Sequence, residues 1–225
     1  MPDLIQSLEQ KLSAAGNSEI AQQQRAYMRD QFDYYGIKAP ERKEIFKPFF
    51  IKKELPDKVF LADLTEKLWS KPQREFQYFG QELWYRYRRR FTQDDITSVE
   101  YMIVHKSWWD TVDYIAVKLL GSYLQIYPEY QSACVERWLT SNNIWLQRSS
   151  LLFQLKYKQQ MDTDLLTYAI RSLIGSNEFF INKAIGWTLR EYSKTDPDWV
   201  VSFVKSNTLH ALSEREALRL IKSAT

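Results

Sequence analysis

Cysteine, histidine, glycine and proline are all scarce in this chain. A single cysteine, Cys134, excludes an internal disulfide and a cysteine-rich zinc site. With only two histidines beside it, the residues for a transition-metal centre are lacking, so no metal and no cofactor are expected. Gly supplies 6 and Pro 7 of the 225 residues, too few for the many tight turns of an all-β sandwich or barrel. No apolar run approaches the roughly 20 residues of a membrane-spanning helix; the stretch 114–120 is short and already holds Lys118. The first ten residues carry Asp3 and Glu9 and no basic segment ahead of an apolar core, so no export leader is expected. A soluble cytoplasmic protein without a membrane partner is the resulting expectation.

What the chain does have is helical periodicity and aromatic rings. Apolar positions recur at three and four residues through Trp138, Leu139, Ile144, Trp145, Leu151, Leu152 and Leu155. Pro40 and Pro72 read as helix-start residues, and Ser18, Asp57, Thr92, Asp162 and Ser213 suit N-caps. These signals predict an all-α chain of about a dozen short helices. No linker or low-complexity block divides it, so residues 1–225 are expected to form one domain. The formal net charge is only +3, whereas aromatic residues reach 15% and include 8 Trp. So many indoles raise the expectation of an aromatic binding surface.

One feature repeats. Arg42, Arg74, Arg148, Lys183 and Arg215 each fall near the start of what would be the second helix of a pair, at successive spacings of 32, 74, 35 and 32 residues. The long step is close to two periods, and a period in the thirties with two helices per unit marks a helical solenoid. A base near a helix N-terminus is disfavoured by the helix dipole unless an anion such as phosphate is held there. Neighbouring acids Glu41, Glu75, Glu214 and Glu216 offer partners for three of these bases. Arg148 has no acid in the whole stretch 143–155, which makes it the best phosphate candidate.

Three constellations could carry chemistry. Trp109 and Asp113 stand four residues apart, on one helix face, where an indole and a carboxylate together suit a cationic guest. Asp113 sits between Val112, Tyr114 and Ile115, an unfavourable place for Asp in a helix. Phe179 and Phe180 precede Lys183, Trp187 and Arg190, with Lys183 and Trp187 again four apart and Gly186 leaving backbone room beside Trp187. The stretch 83–90 interleaves rings with Arg86, Arg88, Arg89 and Arg90, which reads more readily as a basic helix C-terminus than as a nucleic-acid surface. His105 and His210 each stand alone, Asp94 and Asp95 fit a helix start, and Cys134 fits a small core position.

At these motifs the chain resembles the bacterial AlkD-type DNA alkylation repair family. The resemblance is carried by Lys-Ser-Trp-Trp-Asp-Thr-Val-Asp at 106–113, Asn-Ile-Trp-Leu-Gln-Arg at 143–148, Phe-Gln-Leu-Lys-Tyr-Lys at 153–158, and the stretch 178–192 around Trp187. It also runs through Gly-Ile-Lys-Ala-Pro-Glu-Arg at 36–42, where Lys38 stands in place of an expected Gln. It implies a HEAT-like α-solenoid with a concave basic face. It implies base excision repair by a monofunctional DNA glycosylase that takes duplex DNA carrying N3-alkyladenine or N7-alkylguanine and is associated with the nucleoid through DNA binding; a solenoid with polar ends would permit a monomer. By that likeness Trp109, Asp113 and Trp187 form the catalytic cluster, and Arg148 holds backbone phosphate. By the same likeness Tyr27, Phe179 and Phe180 lie close to the DNA, and Lys183 and Arg190 are expected to bind it as well. The alternative of another class is a helical-repeat module that binds DNA or a protein without chemistry; an acid such as Asp113 on a DNA-facing surface argues against it.

Overall fold

The computed structural model describes residues 2–221, side chains from Leu4 onward, and every regular element in it is helical. Contacts between residues divide the chain into two compact units, Met1–Arg90 and Phe91–Thr225.

The first unit contains α1 (Pro2–Ala14), α2 (Ser18–Tyr27), α3 (Ala39–Phe46), α4 (Leu61–Ser70) and α5 (Arg74–Arg86), with three short 3-10 turns between α3 and α4. Its core gathers Leu8, Leu12, Ile37, Phe46, Leu68, Phe76 and Phe79, all sealed from solvent. Gly36 turns the chain into α3 with φ of +87°, and a Cβ there would lie 2.0 Å from the Asn17 carbonyl oxygen. Both facts demand glycine. Asn17, not the neighbouring Ser18, caps α2 by accepting from the Ile20 amide at 3.0 Å.

The second unit contains α6 (Asp95–Val104), α7 (Trp109–Tyr114), α8 (Gly121–Ile126), α9 (Gln131–Thr140), α10 (Ile144–Leu152), α11 (Thr163–Leu173), α12 (Phe179–Tyr192), α13 (Pro197–Ser206) and α14 (Ala211–Ala217). A π-helical stretch, Ile115–Leu120, links α7 directly to α8. Asp162 caps α11 as read from the sequence, whereas Ser213 lies inside α14 and its hydroxyl donates to the Asn182 carbonyl at 2.8 Å.

The repeat is visible in how this unit is tied together. The Tyr127 hydroxyl donates to the Phe91 carbonyl and the Tyr157 hydroxyl to that of Gly121, each 36 residues back. The Thr188 hydroxyl donates to the Leu151 carbonyl 37 residues back. Equivalent helices therefore stack one period apart, and each stack is closed by a side chain that satisfies a carbonyl of the preceding unit. This is the helical-repeat, all-α architecture expected from the spacing of the bases. The bases themselves sit differently. Arg148, Lys183 and Arg215 are each the fifth residue of their helix, and only Arg74 is the first of its own. Past the fourth residue the backbone N–H groups are already engaged, so three of the series lie beyond the free helix ends that would share a phosphate with them.

Candidate active site

Three helices of the second unit converge on one charged pair. Asp113 lies on the second turn of α7, two residues before the π-helical stretch. Such stretches are often found at functional sites. From α10, Arg148 reaches it with one edge of its guanidinium: Nε donates to Oδ1 at 2.7 Å and Nη2 to Oδ2 at 2.9 Å. The remaining nitrogen, Nη1, donates to the carbonyl of Phe180 at the start of α12. The Arg148 side chain is only 4% exposed, whereas that of Asp113 keeps 18%. Both carboxylate oxygens are thus held by one guanidinium, and the Asp113 side chain keeps partial contact with solvent.

This arrangement changes the place of Arg148. No acid stands near it in sequence, and the expectation of a phosphate followed from that. Its acid comes from α7, 35 residues earlier, and a backbone carbonyl takes its third nitrogen. Three of its five N–H donors are engaged in this way, two on Asp113 and one on the Phe180 carbonyl.

The charge of Asp113 is finely set. Burial pushes its carboxyl above the usual carboxylate range, and the neighbouring Asp110 adds to that; the bonds and charge of Arg148 pull the other way. A carboxylate so perturbed, beside rings and in partial contact with water, is the pattern of a functional group.

Rings surround the pair. Trp109 is half-buried and stands one helical turn before Asp113 on the same face. Trp108, Trp145 and Phe180 form a triangle with centroid separations of 5.7, 5.2 and 5.0 Å. The Phe180 ring lies 5.9 Å from the Arg148 guanidinium carbon. Beside it Phe179 is 56% exposed. Trp187, half-buried, follows Phe180 by seven residues and Lys183 by four along α12, so all three share a face of that helix. Trp108 and Trp145 were legible only as members of the quoted motifs; the adjacent pair of indoles at 108 and 109 was the signal.

Lys183 and Arg190 are brought together by an acid from α14. Glu216 accepts from Lys183 Nζ at 2.7 Å and from Arg190 Nη1. The bond from Lys183 holds its carboxyl below the usual range, with the charges of Lys183, Arg190 and Arg219 adding to it and burial opposing. The room beside Gly186 belongs to α14 as well: a Cβ at Gly186 would come within 2.6 Å of Glu216 Cβ and 2.9 Å of the Ser213 carbonyl oxygen. The sequence placed Glu216 beside Arg215, but the packing of α14 on α12 gives it to these two bases.

The remaining candidates separate by place. Tyr27 and Lys38 belong to the first unit, where Tyr27 is 71% exposed and Lys38 is exposed. The basic stretch after α5 is locally satisfied, with Arg88 4.1 Å over the Tyr85 ring, Arg90 5.7 Å over the Tyr87 ring, and Trp84 buried. His105 stacks on Tyr101 at 4.0 Å, and His210 caps α14 by accepting from the Leu212 amide. Cys134 is buried. No described helix is long and apolar enough to cross a membrane.

Comparison with known proteins bears on the family and the fold. Residues 8–221 match the family model described as DNA alkylation repair enzyme. A solved structure described as a predicted DNA alkylation repair enzyme from Enterococcus faecalis superposes with a TM-score of 0.85 at 34% sequence identity, covering 91% of this chain and 95% of that one. No curated protein matches the sequence. The family match over nearly the full chain and the shared all-α helical-repeat fold agree, and the chain belongs to the DNA alkylation repair enzyme family.

Proposed function

We propose that this repair enzyme is a monofunctional DNA glycosylase that hydrolyses the N-glycosidic bond of cationic N3- and N7-alkylated purines in duplex DNA. The observation that carries the reading is the Asp113 carboxylate, gripped through both oxygens by Arg148 yet partly exposed, with Trp109 one turn away on the same helix face.

The chemistry asks for little else. An N3- or N7-alkylpurine already bears positive charge, so it departs as a neutral base and needs no general acid. Both histidines of the chain are exposed and engaged away from Asp113, one with Tyr101 and one as a helix cap. As the bond from C1′ to the base nitrogen breaks, its electron pair goes to the purine, and positive charge develops on the deoxyribose, as in other glycosidic cleavages. Asp113 stabilises that charge and orients the water that attacks C1′; the water proton passes to the carboxylate or to solvent. Trp109 and Trp187 add cation–π attraction of ~0.5–2 kcal/mol each. Arg148 keeps the carboxylate ionised and pointed. Phe179, Lys183 and Arg190 on α12, with Tyr27 from the first unit, supply contacts to the duplex. The enzyme acts as a monomer, and no step calls for a metal or cofactor.

Single-turnover release of base from a duplex with one N7-methylguanine tests the reading, with the wild type and Asp113→Asn side by side. The wild type is expected to excise, and the variant to bind the duplex but lose excision by about 100-fold or more. A neutral lesion such as hypoxanthine is expected to stay in place. A wild type that binds the duplex without excising would overturn the proposal in favour of a non-catalytic helical-repeat DNA-binding module.

A further inference from the structure

We propose that the ring triangle of Trp108, Trp145 and Phe180 is a positioning device: it holds Arg148, and through Arg148 it sets the carboxylate of Asp113. The inference rests on the reading of Asp113 as the group that stabilises charge.

Each corner of the triangle belongs to a segment that supplies one member of the pair. Trp108 is the residue that leads into α7, and Asp113 follows five residues later. Trp145 lies three residues before Arg148 on α10. Phe180, the second residue of α12, gives its own carbonyl to Arg148 Nη1. The three centroids lie within 5.0 to 5.7 Å of one another, two pairs tilted and one edge-on, the geometries in which aromatic rings attract. A guanidinium is a rigid planar fork. With Nη1 fixed on the Phe180 carbonyl and the Phe180 ring 5.9 Å from Cζ, the direction in which Nε and Nη2 point is decided by where Phe180 sits. Those two nitrogens are the ones that hold Asp113.

Two further observations fit this role. Phe180 is half-buried among rings, while its neighbour Phe179 is 56% exposed, so Phe179 is the ring free to meet DNA. The indole Nε1 of Trp108 is buried without a hydrogen-bond partner in the structure. A buried donor left unpaired is costly and rare. The contacts the structure gives the Trp108 ring are those with Trp145 and Phe180.

The test uses Phe180→Leu and Trp145→Leu, two corners of the triangle, so that loss of folding in one leaves the other to decide, with Trp108→Phe as the conservative control. Asp113 is titrated by its carboxyl 13C resonance, a readout that needs no activity. The charges that face it are Arg148 from α10 and Asp110 on its own helix. In the Leu variants Arg148 loosens while burial remains, so Asp113 is expected to titrate at higher pH than in the wild type. Excision of N7-methylguanine is expected to slow by about tenfold or more at unchanged duplex affinity, the cost of a misplaced catalytic group. Trp108→Phe, which keeps a ring and removes the orphaned donor, is expected to match the wild type in both. An unchanged Asp113 titration in the folded Leu variants would overturn the proposal. So would a tenfold loss of duplex affinity with normal excision once bound, the mark of a direct DNA contact. If the wild type excises nothing, the glycosylase reading falls, and the titration still decides whether the triangle sets Asp113.

Discussion

Glu75 in the first unit is a buried acid and Asp113 in the second a half-buried one, and they are used in opposite ways. Glu75 has no exposed surface; it accepts the amides of Tyr35 at 3.1 Å and Gly36 at 3.2 Å. It thereby fixes the turn that leads into α3. Asp113 instead has both oxygens held by one guanidinium on one side and keeps 18% of its side chain exposed on the other. Burial raises both carboxyls above their usual range; backbone amides oppose that at Glu75, and Arg148 opposes it at Asp113. A carboxylate whose lone pairs all serve the backbone holds the fold. One that is held by the fold, with lone pairs to spare, is available for chemistry.

The largest effect expected from breaking this contrast is on chemistry alone. Asp113→Asn should lose excision by about 10²–10³-fold, while its single-turnover assay still shows bound duplex. Glu75→Ala should do the reverse. It orphans two buried amides and costs about 3 kcal/mol in urea or thermal unfolding, with the excision rate of the folded protein unchanged.

A pH series sharpens the comparison, because activity and stability move oppositely. Excision should fall as pH drops through the folded-state pKa of Asp113, which lies above the ordinary Asp value, since only the carboxylate stabilises a cation. Stability follows the other sign. A raised pKa means that the folded state binds the proton more readily than the unfolded chain. The contribution of Glu75 is therefore full at low pH and lost as pH rises through its raised value. Glu75→Gln should flatten that part of the pH–melting profile and leave the pH–rate profile in place.

The smallest effect belongs to Glu216, whose pKa is depressed. Its contribution is present above the unfolded value and lost as pH falls through the folded one. Glu216→Gln should cost about 1 kcal/mol, since the pair with Lys183 is partly exposed. By freeing Lys183 and Arg190 it should raise duplex affinity and steepen its dependence on salt.

Much of this could be read in the chain before folding. Periodicity and the scarcity of glycine and proline pointed to helices, because burying one face of a helix requires apolar residues at three- and four-residue steps. The recurrence of bases at steps of 32 to 35 announced the repeat, and the side chains that bond 36 and 37 residues back realise it. Trp109 and Asp113 could be paired on paper because both stand on one helix, where register alone sets neighbours.

Partners across helices could not be read in that way. The acid of Arg148 is 35 residues distant and that of Lys183 is 33 residues on, so nearness in sequence assigned Arg148 no partner at all and gave Glu216 to Arg215. Nor does a residue type say which of two adjacent rings turns inward, as Phe180 does, and which turns out, as Phe179 does. Local pattern set the helices, their repeat and the residue types of the site, because periodicity and residue chemistry act within a few residues. Tertiary packing alone decided which charges meet, because a side chain is paired by whatever the neighbouring helix presents at hydrogen-bond distance, and that depends on how the repeats stack.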